Sequence, residues 1–175
     1  MNADDVELTL PARSPDAIDS VLVVDFPAQI ATNRALRLAT DASTALHVMD
    51  GRLDGSGIRY GDGKTYRDVT DEWSKLDGTV TWTIRVPQTS RFKVAAQYNT
   101  LTKDDSGTFA IEVAQQQLTG KVTPTDDQRT FRSDALGEVA LTAGEHTLVV
   151  RARQIDGTNL MRLRQLEITP VNESK

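Results

Sequence analysis

The segment Asp71-Glu72-Trp73-Ser74 sets an indole beside two carboxylates and a hydroxyl. These are the groups that recognise a sugar. The apolar C–H face of a pyranose stacks on an aromatic ring, while carboxylates, amides and arginines bond its hydroxyls. Tyr60 and Tyr66 flank the turn Gly61-Asp62-Gly63 and offer further rings, and Tyr98-Asn99 and Asn159 add a phenol and two carboxamides. Arg162 belongs to a basic group with Arg151, Arg153 and Arg164. The set expected to contact carbohydrate is Trp73, Tyr66, Tyr98, Asn99, Asn159 and Arg162. Each has a plainer reading that stays open. Trp73 would instead seal one end of a hydrophobic core, because large aromatics are seldom left in water. The tyrosines would anchor loops. The arginines would form a cationic stripe for an anionic glycan, pair with Glu112 or Glu167, or simply solvate a sheet face.

Catalytic chemistry finds less support. His47 and His146 are far apart and the chain has no cysteine, so neither a nucleophile triad nor a zinc site is expected. His146 alternates with Leu148 and Val150 and reads as a half-buried structural histidine. Glycoside hydrolysis needs two carboxyls facing each other across roughly 5–9 Å. The adjacent pairs Asp104-Asp105 and Asp126-Asp127 diverge instead and read as turn residues. No metal ligand set is assigned.

What positions these residues is a β fold. Val80, Trp82, Ile84 and Val86 alternate with Thr81, Thr83 and Arg85 until Pro87 removes a ladder donor. The same period of two recurs in Phe92, Val94, Ala96 and Tyr98, in Phe109, Ile111 and Val113, and in His146, Leu148, Val150 and Ala152. Turn chemistry bounds the runs at residues 87–90, 104–107, 143–144 and 156–157. One-faced strands joined by short turns predict antiparallel sheets stacked as a sandwich. Trp82, in strict alternation, is expected in the core. The stretch from Gly51 to Asp77 predicts long loops around one short strand, Ile58 to Tyr60. Residues 33–39 read as a strand or extended linker. Val6 to Leu10 and the apolar Ser20 to Phe26 predict a hairpin that wants cover on both faces, as at the end of a preceding module.

The 175 residues carry 20 Lys and Arg against 25 Asp and Glu, for a net charge of −5. A phosphate-backbone binder needs a basic face, so nucleic acid is not an expected partner. No run of about 18 apolar residues suggests a helical membrane span. Met1 to Asp5 shows no basic-then-apolar leader.

Three stretches resemble the C-terminal region of family 29 glycoside hydrolases, the α-L-fucosidases. Leu8 to Phe26 is similar to the last hairpin of the small sandwich after the fucosidase barrel. Trp73 to Pro87 resembles a loop Trp, an acidic residue and an aromatic on a strand that stops at Pro. Leu141 to Val171 is similar to the last two strands of a galactose-binding-like domain, the fold of carbohydrate-binding modules of families 6 and 35. The resemblance implies an all-β antiparallel β-sandwich of jelly-roll type over residues 44–171, with a terminal hairpin of an upstream module over 1–30, a linker or edge strand over 31–43, and a tail over 172–175. It also implies a secreted or periplasmic, non-catalytic accessory domain whose partners are a glycan, fucosylated where the parent is a fucosidase, and an upstream catalytic domain. The alternatives are a purely structural module and the accessory domain of another carbohydrate-active enzyme such as a sulfatase. Modules of family 6 often carry an Asn before the last strand with an aromatic beside it; Asn159 is present here, followed by Leu160 and Met161. They often hold a structural calcium ion, for which Asp50 is a counterpart without a second ligand.

Overall fold

The computed structural model describes residues 35–125 and 127–171, together with residues 9, 12, 13 and 21–23. The chain divides into two units, residues 1–33 and 34–175. The expected hairpin strands Val6–Leu10 and Ser20–Phe26 fall almost wholly outside the described residues. Val21, Leu22 and Val23 are described; they are exposed and belong to no sheet.

The second unit is all-β. In chain order its strands are β1 (Leu36–Arg37), β2 (Thr44–His47), β3 (Arg52–Asp54), β4 (Ile58–Tyr60), β5 (Thr70–Trp73), β6 (Thr79–Val86), β7 (Ser90–Asn99), β8 (Gly107–Val113), β9 (Gln116–Val122), β10 (Arg132–Leu141), β11 (Gly144–Ile155) and β12 (Arg162–Pro170). The one helical turn among the described residues is a 3-10 turn, Val48–Asp50. One sheet runs β1-β6-β11-β8-β9 with β3 also on β6, a second runs β10-β7-β12-β2, and β4 pairs β5 separately. All pairings are antiparallel except the short β1–β6 contact, Leu36 beside Ile84.

The two large sheets face each other across the apolar positions the alternation singles out. Val80, Trp82, Ile84 and Val86 meet Phe92, Val94, Ala96 and Tyr98, with Phe109, Ile111, Leu148, Val150, Leu166 and Ile168 completing one core. Thr81, Thr83 and Arg85 lie outward. Each fully buried large side chain contributes roughly 1.5–3 kcal/mol before its entropic cost. Trp82 is 1% exposed and its Nε1 donates to His47 O at 2.8 Å, so its own indole N–H is paired on burial.

Sequence periodicity misses the polar strands. β9 and β10 are edge strands whose exposed positions dominate, and β10 also bulges between Ala135 and Gly137. The β8–β9 hairpin turns through Ala114 and Gln115 at φ 48° and 62°. That is the left-handed pair a two-residue primed turn requires, filled here by residues that do not advertise it. The window from residue 51 to 77 holds three strands rather than one, β3 and β5 having been expected as loop.

Consecutive strands mostly cross between sheets. The turn at residues 87–89 carries the chain from β6 to β7 in the opposite layer, and residues 156–161 carry it from β11 to β12. Arg151 and Arg153 therefore sit on one sheet and Arg162 and Arg164 on the other. The expected cationic stripe does not form. Arg151 and Arg153 both pair with Glu112, while Arg162 reaches Asp71 and Arg164 reaches Asp68.

Candidate functional site

Four connections and the turn after β2 converge at one end of the sandwich, and short-range polar bonds tie them together. Asp105, fully buried, accepts the backbone N–H groups of Leu101 (2.9 Å), Thr102 (3.1 Å) and Asn159 (3.2 Å). It thereby joins the β7–β8 loop to the β11–β12 loop. Gly157 allows that approach: a Cβ there would stand 1.8 Å from Asp104 O. Thr100 and Thr125 exchange backbone N–H and hydroxyl bonds at 3.1 and 2.9 Å, fixing the β9–β10 loop beside the β7–β8 loop. Leu160 N donates to Trp73 O at 2.8 Å, attaching β5 to the β11–β12 loop.

The β4–β5 loop is held by charge. Asp68 accepts Arg164 at 2.8 Å and His47 Nε2 at 3.1 Å. Met49 N donates to His47 Nδ1 at 3.3 Å, which places the ring proton on Nε2, facing Asp68. Burial pushes the Asp68 carboxyl up, but the bonds from Arg164 and His47 outweigh it and leave the pKa below the ordinary aspartate value. A depressed carboxylate contributes stability above its unfolded pKa and loses it as pH falls through the folded one, so this clamp weakens in acid.

All six residues expected to contact carbohydrate lie at this end, but not in one role. Trp73 is fully buried on β5, opposite Ile58, rather than exposed in a loop. Its ring fills the core, the sealing alternative. β5 is only four residues long, with burial at Thr70 and Trp73 alone, so no alternation announces it. Tyr98 is likewise interior: its hydroxyl donates to Asp134 at 2.6 Å and accepts Thr123 N at 3.0 Å. Asn99 is buried with its amide on Gln128 O, and Arg162, 2% exposed, reaches Asp71 at 3.3 Å. These four hold the loops. Among the described residues Asn99 Oδ1 and Arg162 Nε and Nη1 have no hydrogen-bond partner, although Asn99 and Arg162 are directly opposed between β7 and β12.

Tyr66 and Asn159 form the rim. Tyr66 is half-buried at φ 57°, a left-handed conformation that a bulky residue enters only when its surroundings impose it. The exposed Arg129 guanidinium lies 5.0 Å from the ring centroid, linking the β4–β5 and β9–β10 loops by a cation–π contact. The Asn159 carboxamide is half-buried and bonds no other described side chain or backbone group. Arg129, which sequence reasoning overlooked, sits in a polar stretch with no periodicity to mark it.

The Tyr98 phenol is pushed up to about 12, first by burial and then by its bond to the Asp134 carboxylate. A raised folded pKa means stability present below the ordinary value of about 10 and lost as pH climbs from there towards 12. In a phenolate absorbance titration Tyr98 should ionise only with alkaline unfolding. Reversible ionisation of Tyr98 near the ordinary tyrosine value of about 10 would show that it is not enclosed.

Elsewhere, His146 is half-buried with Nε2 on Thr142 O at 2.8 Å. Asp104 and Asp105 diverge, one outward and one into the loop core, and Asp127 caps its own turn through Arg129 N and Thr130 N. Asp126 lies outside the described residues. Among the described residues no group of three or more His, Asp or Glu is gathered as a cation would need.

No protein-family model matches this sequence, and no curated protein matches it. Solved structures do. The "GH26-CBM35 beta-(1,4)-mannanase" of Podospora anserina aligns over 77% of this chain at 17% identity and TM-score 0.60; the chain spans 29% of that protein's length. A "family 35 carbohydrate binding module from Clostridium thermocellum" aligns over 72% of this chain and 96% of its own at 14% identity and TM-score 0.59. The mosquito-larvicidal Cry4Aa toxin of Bacillus thuringiensis aligns over 81% of this chain and 26% of its own at 13% identity and TM-score 0.66. These likenesses establish the architecture as the jelly-roll sandwich found in such modules.

Proposed function

We propose that this chain is a non-catalytic accessory domain that binds carbohydrate weakly at its loop end, with Tyr66 and Asn159 as contacts. The observation that carries the reading is the rim itself. An aromatic ring is held at a strained backbone angle and, on another loop of the same end, a carboxamide has no partner among the described residues, the loops being fastened by Asp105, Arg162 and Asn99. The fold shared with a family 35 module and with the mannanase supports it. In this reading the parent is a secreted glycoside hydrolase of the α-L-fucosidase type. Residues 1–30 are then the last hairpin of the preceding module, and the glycan is fucosylated. A millimolar site is worth only about −4 kcal/mol. Tethered to an enzyme, it would raise local substrate concentration without altering the chemical step.

The test is a glycan array followed by calorimetry with fucosylated oligosaccharides. Retention is expected, with Asn159→Ala and Tyr66→Ala each weakening binding about five-fold or more, the scale of one hydrogen bond or stacking contact. Full retention by both variants would refute the rim assignment.

A second reading, a structural module that stabilises its parent without touching sugar, is favoured by one observation. Trp73, Tyr98, Asn99 and Arg162 are all spent on internal packing. Absence of binding across the array at millimolar sugar, with a parent enzyme that loses thermal stability on deletion of residues 34–175, is the result it requires.

A further inference from the structure

Running from the turn after β2 onto the strands, the outer face of the first sheet carries a groove of about 500 Å³. We infer that this groove is a second, independent binding site for a neutral oligosaccharide, built from the ring of Tyr60, the hydroxyls of Thr81, Thr83 and Thr147, and the Asp50 carboxylate. The volume lies within the range of small-molecule sites, about 300–1,000 Å³.

The core builds one wall. Gly51 lies against the indole of Trp82, so closely that a Cβ would come within 2.9 Å of the ring. Trp82 Nε1 also holds His47 O at 2.8 Å. The 3-10 turn is therefore pressed onto β6, and Asp50 and Arg52 stand at the groove's edge. Arg52 is paired with Asp54 at 2.9 Å, which leaves Asp50 as the wall's acceptor.

Tyr60 is fixed from its far end. Its hydroxyl donates to Gly51 O at 2.6 Å and accepts Leu53 N at 3.2 Å, yet the residue remains 40% exposed. A ring anchored through its oxygen loses little conformational freedom on binding and offers apolar area to a sugar's C–H face. Exposed large apolar or aromatic side chains are few among the described residues, and Tyr60 is the aromatic among them.

The floor is a triad of hydroxyls. Thr81 and Thr83 are two apart on β6 and share its outer face, and Thr147 on β11 is the direct cross-strand neighbour of Thr83. Spacing along the strand is about 6.7 Å and across it about 5 Å. None of the three hydroxyls bonds another described residue. Threonine hydroxyls both donate and accept, as sugar hydroxyls do, and the floor bears no charge. A neutral polyol with an apolar face satisfies the ring, the hydroxyls and the single carboxylate together. An anionic sugar would meet Asp50 instead.

The test is amide-shift mapping of the full chain by NMR, with 2′-fucosyllactose, mannotriose, xylotriose, cellotriose and β-1,3-galactotriose as probes at millimolar concentration. Amides of Thr81, Thr83 and Thr147 should shift with at least one probe. Thr83→Val and Asp50→Asn, both at exposed positions, should each weaken that response about five-fold, and Tyr60→Ala should abolish it. Asn159→Ala should leave it unchanged. Shifts confined to residues 61–69, 127–131 and 156–161 would overturn this inference while leaving the loop-end reading standing. Shifts confined to the groove would do the reverse. No shift on the β6–β11 face with any probe, or a response that Thr83→Val and Asp50→Asn leave intact, also overturns it.

Discussion

Replacing Trp73 by alanine should lower stability by about 3–5 kcal/mol, the range for removing a large aromatic from a core. The ring is fully buried, its strand pairs Ile58, and its carbonyl holds Leu160 N, so little nearby can collapse into the space. For a domain of this size the melting temperature should fall on the order of 10 °C. Trp73→Phe should cost clearly less, because most of the packing survives. A companion expectation concerns fluorescence. Both tryptophans are interior, so emission should be that of buried indoles and should not shift when glycan is added. An unchanged melting temperature in Trp73→Ala, or a sugar-dependent emission shift lost in that variant, would return the ring to the surface and revive it as a stacking platform.

Asp105→Ala should be comparably damaging, for an electrostatic reason. One buried carboxylate collects three backbone donors from two loops. Removing it leaves those N–H groups enclosed and unpaired, each costing roughly 1–3 kcal/mol less whatever water regains. A net loss of about 3 kcal/mol is expected, with amide exchange at Leu101, Thr102 and Asn159 rising far above that of the central strands. Asp105→Asn keeps one acceptor oxygen and should fall between. The loss should also reach function, because Asn159 is positioned by this bond; any loop-end glycan affinity should drop while the groove beside Tyr60 responds as before. Wild-type exchange rates at all three amides in Asp105→Ala would contradict the clamp.

These two residues show where sequence reasoning stops. Trp82 was legible because seven residues of strict alternation surround it, and hydrophobicity with a period of two has one physical outcome, a strand with one wet face. Trp73 belongs to a strand of four residues, too short for any period to register, and its acidic neighbours gave it the look of a solvent-facing loop. Asp105 reads locally as a turn residue. Its turn bonds are indeed local, to Leu101 and Thr102, but its third bond spans 54 positions to Asn159.

The arginines carry the same lesson at the level of topology. Spacing placed Arg151 with Arg153 and Arg162 with Arg164, and each pair does share a strand end. Whether neighbouring strands pair or cross to the opposite layer depends on how the whole core closes, and here the chain crosses. That choice dissolved the stripe and distributed the arginines to Glu112, Asp71 and Asp68. Tyr60, the aromatic that faces solvent over a polar floor, acquires its setting only when β3, β4, β6 and β11 are brought together.

Alone, then, the sequence determined an all-β sandwich, its principal core residues and the absence of cysteine chemistry, because alternation, turn residues and composition act over a few positions. The tertiary structure decided which rings are enclosed and which are offered to a ligand. Exposure is a property of packing against residues distant in the chain, and no short stretch encodes it.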